Sequence, residues 1–149
     1  MCVEQKRRLA SLTENVEVGR GFVVSTLAAW GFDRPDTGDA VDDVLLIASE
    51  LLTNGITASP GGVTLGLVGH RDHLEVSVTD GSAQAARRGD PGIDAESGRG
   101  LMIVGAISTE WGQEPTPEGG KRVWSRVAVA AAPGTLRDSC RLGAWAPAR

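Results

Sequence analysis

A chain of 149 residues with a formal charge of -4 and a pI near 5.1 suits one domain, and its acidity argues against direct contact with nucleic acid. With 41% hydrophobic and 23% charged residues it can bury a core, which excludes a disordered chain. No apolar run approaches the roughly 20 residues of a membrane span, and Met1 to Leu12 lacks the apolar stretch of a signal peptide. No membrane contact and a cytoplasmic location are therefore expected. Cys2 and Cys140 share no metal-ligand spacing and read as two free thiols in a reducing compartment.

The first dozen residues carry Lys6, Arg7 and Arg8 and then a short apolar stretch, which fits either a frayed end or a short edge strand. From Asn15 to Trp30 the residues Val16, Val23, Leu27 and Trp30 recur at helical spacing, and Gly31 stops the helix. Asp33 to Gly38 is turn chemistry around Pro35. A second helix starts at Asp39 as N-cap, with Asp42 and Asp43 in the first turn where the helix dipole favours negative charge. Its apolar stripe is Val41, Val44, Leu45, Ala48, Leu51, Leu52 and Gly55. Ser59-Pro60-Gly61-Gly62 ends it.

Two alternating strands follow, on Val63, Leu65 and Leu67 and then on Leu74, Val76 and Val78, joined through His70-Arg71-Asp72. Residues Gly81 to Ser97 are polar and aperiodic, as in a lid. A third helix is expected over Arg99 to Ser108. A closing hairpin is expected from Glu110 to Gln113 and Lys121 to Val129, and a loose tail from Ala132 to Arg149. The order predicts an α+β two-layer sandwich in one domain, residues 1–131, with helices on one face of a mostly antiparallel sheet.

No P-loop and no dinucleotide-binding glycine fingerprint is present. His70 and His73 read as turn residues without a partner. Glu50 and Asn54 are one helical turn apart and, at 100° per residue, lie far round from the apolar stripe. A carboxylate and an amide so placed suit a hard cation and the activation of a hydroxyl. Asp80 shares the parity of Leu74, Val76 and Val78, so it points into the core layer, where a carboxylate is costly unless something donates to it. Gly98-Arg99-Gly100 precedes the third helix, where close backbone approach and free N–H groups suit phosphate.

In this order the features resemble the histidine-kinase-like (Bergerat-fold) ATPases, within them the anti-sigma-factor serine/threonine kinases of the single-domain actinobacterial type. The segments that carry the resemblance run from Ala29 to Gly31, LLIASELLTNGITAS from Leu45 to Ser59, and VSVTDGS from Val76 to Ser82. They continue with SGRGLMIV from Ser97 to Val104 and WGQEPTPEGGKRVW from Trp111 to Trp124. The resemblance implies a protein kinase using ATP and Mg²⁺, with Asn54 as metal ligand, Glu50 as general base and Asp80 as acceptor for the adenine amino group. Ser82 stands in the first glycine box, and Gly98, Arg99, Gly100 and Leu101 form the phosphate-contacting second box. It implies an anti-anti-sigma antagonist protein and a sigma factor as partners, and it allows a homodimer. The chain departs from the family's pattern at Gly55, where Ala is usual, and at Arg122, where a threonine expected near the adenine is common.

Overall fold

A computed structural model describes residues 2–33, 38–82, 95–129, 133–134 and 136. Its elements in chain order are β1 (Val3–Leu9), α1 (Asn15–Ala29), α2 (Ala40–Ala58), β2 (Val63–Gly69), β3 (His73–Asp80), α3 (Ala95–Ile107), β4 (Glu110–Pro115) and β5 (Lys121–Ala128). The strands form one five-stranded sheet in the order β1-β2-β3-β5-β4, and all four pairings are antiparallel. The expected α+β layering holds at this level: the helices pack on one face of the sheet.

Alternation decides which face. Val63, Leu65 and Leu67 on β2 and Leu74, Val76 and Val78 on β3 are buried against Val44, Ile47, Ala48, Leu51 and Leu52 of α2 and Val23 and Leu27 of α1. The stripe of α2 is centred nearer Ile47 than the sequence pattern suggests, and Val41 and Leu45 are only half-buried. Asp39 occupies the N-cap position, but its side chain makes no cap hydrogen bond; its carbonyl accepts from the Asp43 N–H at 2.9 Å. Of the two possibilities for the first residues, β1 is an edge strand paired to β2 along its length.

Three expectations fail at the end of the sheet where β1 begins. Among the described residues no cysteine is free: Cys2 is disulfide-bonded, and Cys140 lies outside the described residues. Leu136, placed in the loose tail, is 1% exposed and packs beside Gly69, whose missing side chain leaves it room. Two chain ends far apart in sequence thus converge beside Trp30, which no local pattern encodes. His70 and His73 are not without partners either. Their rings stack at 4.0 Å, and His73 Nδ1 lies 2.7 Å from Asp72 Oδ1. Burial first, and then the neighbouring His73, lower the His70 pKa to about 4. Residues 34–37 around Pro35, residues 83–94 of the expected lid and residues 137–149 of the expected tail lie outside the described residues. Among the described residues no helix is long and apolar enough to cross a membrane.

Candidate functional site

Asp80 is the last residue of β3, and the parity argument holds: it is 5% exposed and faces the helix layer. Three donor contacts offset the cost of that burial. The Ser82 N–H donates to Oδ1 at 2.7 Å, a short-range turn that bends the chain around Gly81. Lys121 Nζ donates to Oδ1 at 3.1 Å and lies 3.0 Å from Oδ2. Lys121 opens β5 directly opposite Asp80 in the register and is itself 7% exposed. The Gly81 N–H donates to Ser59 Oγ at 3.1 Å, which ties the turn to the end of α2. Ser59 is buried, and Ser11 donates its hydroxyl to the Ser59 carbonyl.

Above this carboxylate lies Gly55. A Cβ there would come within 2.9 Å of Val78 Cγ1, 3.1 Å of Val63 Cγ1 and 3.6 Å of Asp80 Oδ2. The helix therefore approaches the sheet where a side chain would not fit, which is the reason this chain tolerates a glycine inside α2. Arg122, the other departure, has a simpler explanation. It alternates with the buried Lys121 and Val123, so it faces away from the helices and from Asp80. There its guanidinium meets Glu75 at 2.5 Å and Glu114 at 3.1 Å. The threonine hydroxyl expected at this position would face away from the Asp80 carboxylate as well.

Glu50 and Asn54 are not on a solvated helix face. Both are half-buried, because α3 packs against that side of α2. The Glu50 carboxylate lies against Gly100, where a Cβ would overlap it. Asn54 Nδ2 is buried with no hydrogen-bond partner among the described residues, an orphaned amide of the kind that awaits a ligand or water. The second glycine box sits differently from the expectation. Helix α3 begins at Ala95, so Gly98, Arg99 and Gly100 lie inside it rather than ahead of it. Helical bonding occupies every N–H beyond the first four. The free N–H groups of that first turn end at Ser97, so none of these three residues offers a free backbone N–H to phosphate; Gly100 serves the crossing with Glu50, Arg99 is exposed and Leu101 is buried.

A cavity of about 330 Å³ borders Asp80, lined by Arg8, Ser59, Thr64, Thr79, Gly81 and Thr116 among others, but by neither Glu50 nor Asn54. Among the described residues no group of three or more His, Cys, Asp or Glu is arranged to hold a metal ion, so a cation at Asn54 would draw further ligands from phosphate and water. Sequence reasoning missed Lys121 and Ser59. The only signal for Lys121 was a strand-initial lysine with core parity, and its partner is visible only once β3 and β5 are in register. The sequence matches no protein-family model and no curated protein.

Proposed function

We propose that this chain binds ATP through Asp80 and transfers its terminal phosphoryl group to a serine or threonine of a small partner protein. The reading takes the fold as the Bergerat type and the partners as an anti-anti-sigma antagonist and a sigma factor in the cytoplasm. One observation carries it: a buried carboxylate, facing α2, that keeps an unused acceptor site after all its described donors are counted. An exocyclic amino group is the kind of donor that fits it. The unpartnered Nδ2 of Asn54 supports the reading as a buried donor that suits a phosphate oxygen, and the amide oxygen of the same side chain would hold the Mg²⁺ of the nucleotide. The cation would neutralise phosphate charge. Glu50, one turn before Asn54, would accept the proton of the attacking hydroxyl.

Calorimetric titration with ATP and ADP tests this. Both should bind when Mg²⁺ is present, and Asp80→Asn should weaken both alike because both carry adenine. A wild type that binds neither nucleotide sinks the proposal.

A second reading is favoured by the packing of the Glu50 carboxylate on Gly100, which leaves the base covered by α3. In it the chain binds ATP and sequesters its partner without catalysis. Glu50→Gln separates the two. Under the kinase reading it leaves nucleotide affinity intact and lowers transfer to the antagonist by about 10²–10⁴-fold. Wild-type protein that binds an antagonist without phosphorylating it establishes the second reading instead.

A further inference from the structure

The two oxygens of Asp80 are used unequally. Oδ1 takes the Ser82 N–H at 2.7 Å and Lys121 Nζ at 3.1 Å, whereas Oδ2 has Lys121 alone, at 3.0 Å. With about two acceptor sites on each oxygen, the free one belongs to Oδ2. That oxygen is also the one on the α2 side, 3.6 Å from the place a Cβ on Gly55 would take. Lys121 therefore does more than neutralise a charge: it bridges both oxygens and decides which of them keeps an acceptor site.

We propose that Lys121 is a positioning residue that makes this site select a 6-aminopurine by bridging both oxygens of Asp80 and so fixing the unused acceptor site of Oδ2 on the α2 side. The inference rests on the reading of Asp80 as a nucleotide contact. Without the Lys121 bridge the carboxyl group is free to rotate, and its unused acceptor site has no fixed direction toward an amino group. Among the described residues the charged groups around Asp80 are Lys121 from β5, and Arg8 and Glu118 across the cavity; α2 presents the side-chain-free Gly55. Arg8 is bound to the Gly61 carbonyl at 2.7 Å, which leaves Lys121 as the cation in contact with the carboxylate among the described residues. A purely structural ion pair would change the amount of folded protein and weaken every nucleotide equally.

The measurement is the affinity ratio of ATP to purine riboside triphosphate, which lacks only the 6-amino group, on full-length protein shown to be folded by circular dichroism. Wild type should prefer ATP roughly tenfold or more, the scale of one hydrogen bond to a charged group. Lys121→Gln should bring the ratio to within about twofold of unity, and Lys121→Arg should restore it. A Gln variant that keeps the wild-type ratio overturns the role of Lys121 while leaving the nucleotide site standing. Wild type that binds both nucleotides equally also overturns it, and wild type that binds neither overturns the nucleotide reading as well. If the Gln variant does not fold, the Lys121 ammonium ¹⁵N resonance of wild type supplies the answer. It should move on addition of ATP and stay when the 6-amino group is missing; equal movement with both ligands overturns the proposal.

Discussion

Glu75 and Asp80 belong to the same strand and both meet cations from β5, yet they are opposites. Asp80 faces the helices with side chains 2% and 9% exposed in its pair with Lys121. Glu75 faces away from them, 12% exposed, and is shared by Arg122 at 2.5 Å and Arg126 at 3.1 Å. Arg126 in turn reaches Glu110 and lies 4.9 Å over the Trp124 ring. Burial opposes ionisation of Glu75, but the hydrogen bonds from Arg122 and Arg126 outweigh it and hold its pKa below the usual carboxylate value. The open-face network is redundant and wet, and the inner pair is solitary and dry. A buried pair of that sort seldom contributes much net stability, so its presence suggests another use, whereas breaking it is costly.

The largest expected effect is therefore on the inner pair. Lys121→Met strands a buried carboxylate and should lower unfolding free energy by about 3–5 kcal/mol in a urea titration. A loss below about 1 kcal/mol would show that the carboxylate reaches water or another donor. Acid should act elsewhere, at the His70–His73 stack. His70 titrates at about 4 when folded against 6.5 as the reference value, so unfolding binds a proton between those limits. Stability is then complete above pH 6.5 and falls as the pH drops toward 4. The fall should be about 1–2 kcal/mol, since partial exposure screens the rings. Unfolding midpoints measured across that window should flatten in His70→Gln; an unchanged slope would move the titration to another group. Smallest is Glu75→Gln, which should change stability by less than about 1 kcal/mol, and by less still in high salt. A loss as large as that of Lys121→Met would erase the distinction between the two pairs.

Much of this was legible without coordinates. Period-2 alternation placed Asp80 on the core side, and 3.6-residue periodicity with terminal glycines bounded α1 and α2, because both depend on local geometry and solvent exclusion. The one-turn spacing of Glu50 and Asn54 was equally local. What they face was not, and the helical wheel placed them in solvent because it cannot know that α3 covers that side of α2. The same limit explains Gly55, in the sequence only a departure from the usual alanine and in the fold a point of close approach to Val78 and Val63. The burial of Leu136 beside Gly69 and Trp30 depends on distant chain segments meeting at one end of the sheet, and such meetings follow from topology alone. The sequence by itself determined the layers and the direction in which Asp80 points. Only the tertiary structure decided that its counter-charge is Lys121, because pairing across β3 and β5 is a matter of strand register between residues 41 apart.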